Sequence, residues 1–103
     1  MYLGDFIQPE DELGIALADA EIDLIEQLIA MRKRRGLTQA EVAEKMGVNA
    51  GVVAQFEGVI HGAFRPDMIT IRKYAIAVQA YIAPVVVPAE TLDGLGEHLR
   101  RQS

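Results

Sequence analysis

The sequence contains no cysteine and no tryptophan, and only six of its 103 residues are aromatic. Without cysteine the chain can form neither a disulfide nor a thiolate metal site, which is typical of proteins in a reducing cytoplasm. Its two histidines, His61 and His98, lie far apart and lack the spacing of a zinc site. Phosphate-binding glycine loops, nucleophile motifs and paired catalytic carboxylates are also missing. We therefore expect no metal, no cofactor, no catalytic residues and no enzyme activity.

Long apolar runs are absent as well. No stretch approaches the roughly 20 apolar residues that span a bilayer, and the first residues have neither the basic segment nor the apolar run of a secretory signal. These absences predict a cytoplasmic protein with no membrane partner. The length is that of one small domain, which needs no disulfide or metal to hold its core.

Cations are absent from residues 1–26, which carry eight Asp and Glu residues. Residues 27–83 instead carry eight Lys and Arg residues against four acids, so the net charge of −5 hides a basic central region. Phosphate binding depends on local cations, and the mean charge therefore does not exclude DNA as a partner. The acidic arm is either a solvated helix face or a docking site for a basic protein.

Apolar residues at helical spacing predict the first part of the chain to be helical. Pro9 followed by three acids predicts the start of a first helix over about 9–18. A second helix is predicted over about 20–35, where the apolar pattern ends in four cations and Gly36. Among these cations, Arg32 to Arg35, we expect a partner for Glu57.

Residues 37–57 have the pattern of two short helices that meet at a tight turn. Thr38 and Glu41 have the spacing of a capping box, and Asn49 can cap the second helix. Gly47 can take the left-handed conformation that ends the first helix. This pattern predicts a helix-turn-helix. The residues predicted to face away from its core carry no cation; they are Asn49, Ala50, Gly51, Ala54 and Gln55.

The last third of the chain predicts one more helix and a strand. Pro66-Asp67 opens a helix to about residue 80, with Met68, Ile71, Tyr74, Ala75 and Val78 on its inner face. Residues 81–88 are apolar and β-branched with two prolines, which predicts a short edge strand. A single strand cannot satisfy its own backbone, so pairing with a second copy is expected. The predicted dimerisation residues are Tyr81, Ile82, Val85, Val86 and Val87.

Residues 28–78 resemble the Cro-like, XRE-type helix-turn-helix family, whose members are mostly transcriptional repressors. The acidic helix before this region and the strand after it are also similar to Hig-type antitoxins, which repress their own operon and bind a toxin nuclease. The resemblance implies an all-α, lambda-repressor-like bundle with an extra acidic N-terminal helix and a C-terminal strand. The matching residues are Arg35 to Gln39, Val42 to Val48, Val53, Phe56, Glu57, Pro66 and Thr70 to Ala75.

The same resemblance places residues 49–57 in a DNA major groove. Asn49 and Gln55 would each bond an adenine bidentately, and an alanine beside them would meet a thymine methyl group. Gln39 would contact a phosphate or brace the second helix, whereas Thr38 would contact a phosphate or only cap its helix. The residues implied at DNA are Arg35, Thr38, Gln39, Lys45, Asn49, Ala50, Gly51, Ala54, Gln55 and Arg65.

Two functions follow as hypotheses. The leading one is a sequence-specific DNA-binding repressor that acts as a homodimer on a double-stranded operator. The alternative is a protein-interaction module: an antitoxin that neutralises a basic toxin nuclease at the acidic arm, or a helix-turn-helix protein that binds another protein. The predicted organisation is an acidic arm at 1–19, the helix-turn-helix domain at 20–80, and a dimerisation segment at 81–103 that ends in a short helix.

Overall fold

The computed structural model describes residues 9–58 and 65–91, and the described chain is helical without any strand. These residues fall into two units, one within Ile22–Ala83 and the other within Met1–Glu21 and Pro84–Ser103. The predicted all-α class is confirmed. The helices are α1 (Pro9–Arg34), α2 (Gln39–Met46), α3 (Ala50–Glu57), α4 (Met68–Val78) and a short 3-10 helix at Ala89–Thr91.

Helix α1 is one helix of 26 residues, where the sequence predicted two. The prediction of a break near residue 19 is wrong because no glycine or proline stands there to interrupt the backbone ladder. The C-terminal end is as predicted. Gly36 has a φ of 70°, and the amides of Gly36 and Leu37 donate to the carbonyls of Lys33 and Arg32 at 3.0 and 3.1 Å.

The two helices of the predicted helix-turn-helix are capped by side chains at both N-termini. The Thr38 hydroxyl accepts from the Glu41 amide, and the Glu41 carboxylate accepts from the Thr38 amide, which completes the predicted capping box. Gly47 ends α2 with a φ of 74°, and the Asn49 side chain caps α3 through the amide of Val52. These local predictions are all confirmed.

The core of the Ile22–Ala83 unit joins all four helices. Phe56 of α3 stacks on Tyr74 of α4 with ring centroids 4.5 Å apart, and both side chains are fully buried. Met68 was predicted on the inner face of α4, but it is 73% exposed. Met68 is the first residue of α4 and lies at the edge of the helix side that packs on the core. The buried residues are Ile25, Leu28, Val42, Ala43, Met46, Val53, Phe56, Tyr74, Ala75, Ala77 and Val78.

Residues 81–88 have no regular secondary structure, so the predicted strand is not formed in this single chain. A strand needs a neighbour for its backbone hydrogen bonds, and the described residues offer none. Ile82 packs against the core of its own chain, whereas Tyr81 and the valines at 85–87 are exposed. Most of the predicted terminal helix at 89–100 lies outside the described residues, as do both histidines.

Candidate nucleic-acid interface

One side of helix α3 packs in the core, and the opposite side is exposed to solvent. Val53 and Phe56 are fully buried, and Val52 is half-buried. On the opposite side the side chains are short or uncharged, so this surface is shallow and carries no cation. The exposed residues are Ala50, Gly51, Ala54 and Gln55.

Asn49 has a structural task at the start of α3. Its Oδ1 accepts from the Val52 amide at 3.1 Å, and a Cβ at position 51 would lie 3.1 Å from the same oxygen. Gly51 therefore leaves room for the cap. Because Oδ1 is already used, Asn49 is less free to read a base than Gln55, whose exposed side chain has no hydrogen-bond partner within residues 9–58 and 65–91.

The other end of α3 is fixed by a buried carboxylate. Glu57 Oε2 accepts from Arg32 Nε and from the Tyr74 hydroxyl, both at 2.6 Å. Its Oε1 accepts from Arg32 Nη2 and from Gln39 Nε2, both at 3.0 Å. Each oxygen thus receives two donors, which uses its full capacity. Glu57 connects α3 to α1, α2 and α4, and the predicted pairing with one of the four cations is confirmed for Arg32.

This hydrogen-bond network determines the protonation states of its members. Burial disfavours the charge on Glu57, but the hydrogen bonds from Arg32, Tyr74 and Gln39 outweigh it and hold the carboxyl pKa below its ordinary value. The hydrogen bond to Glu57 raises the pKa of Arg32. Burial and the adjacent carboxylate raise the pKa of Tyr74. All three groups are therefore held in the states that the network requires.

The lowered pKa of Glu57 makes the fold sensitive to acid. Because the folded pKa lies below the unfolded value of about 4.3, its contribution is complete above that value and is lost as the pH falls through the folded pKa. We expect the stability gap between wild type and Glu57→Gln to be largest near neutral pH and to narrow below about pH 4. Urea unfolding at several pH values measures this gap. A gap that stayed constant down to pH 3 would contradict the assignment.

The structure separates the predicted phosphate contacts into two groups. Arg35 donates from Nε to the Val78 carbonyl at 3.2 Å and from Nη2 to the Gln79 carbonyl at 2.8 Å, so it ties the end of α1 to the end of α4. Gln39 braces α3 through Glu57. Lys45 and Arg65 are exposed and have no ion pair among the described residues. These two cations are the better candidates for phosphate.

Sequence reasoning missed the Tyr74 contribution to the network. A buried tyrosine hydroxyl needs a hydrogen-bond partner, so a tyrosine on the inner face of α4 was a usable signal. The contact of Arg35 with the end of α4 joins residues 43 and 44 positions apart, and no local pattern indicates it.

Residues 9–58 and 65–91 hold no group of three or more His, Cys, Asp or Glu side chains that could bind a metal ion. None of the helices in that part of the chain is both long and apolar enough for a membrane crossing.

Comparison with known families agrees with this geometry. Residues 28–57 match the family described as Helix-turn-helix, and they include α2, the turn, α3 and the Arg32–Glu57 pair. This region is therefore a helix-turn-helix, and the match supports the predicted resemblance to the Cro-like, XRE type. Domains of this class place their second helix in the DNA major groove.

Known proteins with a similar sequence include two antitoxins. The chain is 34% identical over 87 residues to Antitoxin HigA1 of two Mycobacterium tuberculosis strains, CDC 1551 / Oshkosh and ATCC 25618 / H37Rv. The match covers 82% of this chain but only 56% of each relative, so the chain spans a little over half of their length. The identity supports the predicted similarity to Hig-type antitoxins. No solved structure gave a significant match.

Proposed function

We propose that this protein is a sequence-specific DNA-binding transcriptional repressor that acts as a homodimer. The observation that carries the proposal is that one side of α3 is exposed to solvent, while Val53 and Phe56 on the opposite side are buried in the core. The four hydrogen bonds at Glu57 hold the C-terminal end of that helix rigidly. A helix held in this way can enter a major groove without reorganising.

In the proposed complex, α3 makes the contacts to bases, and residues outside α3 make the contacts to phosphates. Gln55 can bond one adenine bidentately, which discriminates by about 1–3 kcal/mol, and the alanines can contact thymine methyl groups. Most of the affinity must then come from phosphate contacts by Lys45, Arg65 and the Thr38 hydroxyl. In a two-fold dimer the two copies of α3 would lie about 34 Å apart, one turn of DNA.

The dimer part of this proposal rests on the exposed segment that follows α4. Four apolar side chains of this segment are exposed to solvent: Tyr81, Val85, Val86 and Val87. Three consecutive exposed valines are unfavourable in water, and backbone without a partner is free to pair with a second copy. Ile82 is taken up by the core of its own chain and contributes less than the sequence predicted.

Selection from random-sequence DNA tests the proposal with two variants. Gln55→Ala is expected to lose preference at one base pair of each half-site, by about 1–3 kcal/mol. Lys45→Ala is expected to weaken binding to all sequences equally and to lower the salt slope of log Kd by about 1 per copy. Binding titrations from low to moderate salt measure both effects.

Lys33→Ala is the matched control for Lys45→Ala, because it removes one exposed cation on α1. It should leave the DNA affinity and the salt slope nearly unchanged. Failure to recover any operator, or an affinity that does not depend on salt, would refute DNA recognition by this surface.

A second candidate function is that of an antitoxin that neutralises a basic toxin. Its support is the 34% identity to proteins named Antitoxin HigA1 across most of this chain. Residues 1–26 carry eight acids and no Lys or Arg, and this negative charge suits a basic partner. Both functions can reside in one protein, since the acidic residues and the outer side of α3 are separate parts of the chain.

Purification from the native host distinguishes the two functions. A basic protein that accompanies the wild type in a fixed ratio, and is lost from Asp19→Asn/Glu21→Gln, supports the antitoxin function. A chain that purifies with no other protein counts against it.

A further inference from the structure

The outer side of α4 combines apolar and basic side chains. Ile69 and Ile76 are 60% and 69% exposed, and Arg72 and Lys73 are exposed between them. The four residues are spaced i, i+3, i+4 and i+7, so they form one face opposite the buried Tyr74 and Val78. We call these four residues the α4 face.

Nothing in the described part of the chain covers the α4 face. Neither cation has an ion pair there, and Lys73 is only a minor cause of the lowered pKa of the cap Asp67, after the hydrogen bonds at Thr70. The isoleucines lie seven residues apart, or about 10.5 Å along the helix axis. Branched aliphatic side chains exposed two turns apart on the same side of a helix indicate a surface that a partner covers.

The chain itself contains a segment of complementary character. The N-terminal half of α1 exposes Ile15, at 53%, and Asp19 lies one turn beyond it on the same side of the helix. Leu17, 56% exposed, is two positions from Ile15 and lies on a different side. Residues 1–26 contain eight acids and no Lys or Arg. One side of this segment therefore offers an exposed aliphatic side chain, Ile15, and an acid, Asp19, the two features that match the α4 face.

We propose that the α4 face of one copy binds the N-terminal half of α1 of a second copy. Ile69 or Ile76 would contact Ile15, while Arg72 and Lys73 would pair with acids such as Asp19. DNA is a poorer occupant, because two isoleucines would then lie against phosphates. The proposal deepens the homodimer part of the proposed function and is measured without DNA, so it can fail while operator recognition stands.

Sedimentation equilibrium of the full chain, without DNA, tests this docking. Wild type should self-associate, and added salt should weaken the association because it screens the charges. Arg72→Glu/Lys73→Glu should weaken self-association by about tenfold or more. Lys33→Glu/Arg34→Glu makes the same change of charge at exposed cations away from the α4 face and should change self-association less than about twofold.

A charge exchange makes the assignment specific. Lys73→Glu and Asp19→Lys should each weaken self-association, and the two together should restore it, because each copy then offers an acid to the partner's lysine. Circular dichroism and thermal unfolding establish that every variant is folded. A monomeric wild type, an unaffected Arg72→Glu/Lys73→Glu variant, or a failed restoration would each overturn the proposal. So would loss of DNA affinity with unchanged self-association, which would assign the two cations to phosphate.

Discussion

Glu57→Ala is expected to lower the free energy of unfolding by about 3–5 kcal/mol, the usual result of removing one partner from a buried ion pair. The side chains of Arg32 and Glu57 are only 12% and 8% exposed. Alanine at position 57 would leave the guanidinium without its carboxylate, and Gln39 and the Tyr74 hydroxyl without their acceptor. Urea unfolding at neutral pH measures the loss.

Two further variants show whether the loss arises from the unpaired charge. Glu44→Ala removes an exposed acid from α2 and should change stability by no more than about 0.5 kcal/mol. Arg32→Met/Glu57→Leu removes both charges and should be more stable than Glu57→Ala alone, because no buried cation is left without a partner. A double variant as unstable as Glu57→Ala would mean that packing, rather than charge, dominates at this site.

Phe56→Ala is expected to cost about 3–5 kcal/mol, since it removes a fully buried ring and its stacking on Tyr74. The ring fastens the last turn of α3 to α4, so the variant should also lose DNA binding in proportion to its unfolded fraction. Thermal unfolding followed by circular dichroism gives the stability, and titration of the selected operator gives the binding.

The controls for Phe56→Ala separate the loss of core volume from the loss of any apolar group. Phe56→Leu keeps much of the volume and should cost clearly less than the alanine variant. Met68→Ala removes an exposed apolar side chain and should change stability by no more than about 0.5 kcal/mol. Equal losses for Phe56→Ala and Met68→Ala would contradict the description of the core.

Features that depend on a few neighbouring residues were predictable from the sequence. The capping box at Thr38, the cap at Asn49 and the left-handed Gly47 each require residues within four positions of one another. Part of the ion pair was predictable as well. Arg32 continues the buried stripe of Ile25 and Leu28 at helical spacing, and this position singles it out among the four cations.

Features that depend on distant parts of the chain were not predictable. The predicted break near residue 19 is a different, local error, because the residues there tolerate helix and the structure joins the acidic arm and the first core helix in α1. The strand at 81–88 was predicted from β-branched composition, but a strand is a property of two segments, and the single chain supplies only one. The β-branched composition of residues 81–88 was therefore not enough to predict a strand.

Under the proposed function, the two-sided character of α3 has a consequence for how DNA sequence preference can evolve or be engineered. The side chains that hold the helix, Val53, Phe56 and Glu57, point away from the exposed side, which holds Ala50, Ala54 and Gln55. New side chains can be installed at these three exposed positions without disturbing the core. Position 51 is different, because any Cβ there presses on the Asn49 cap. If α3 reads DNA as proposed, substitutions at its exposed positions can change the preferred DNA sequence while the buried side keeps the fold stable.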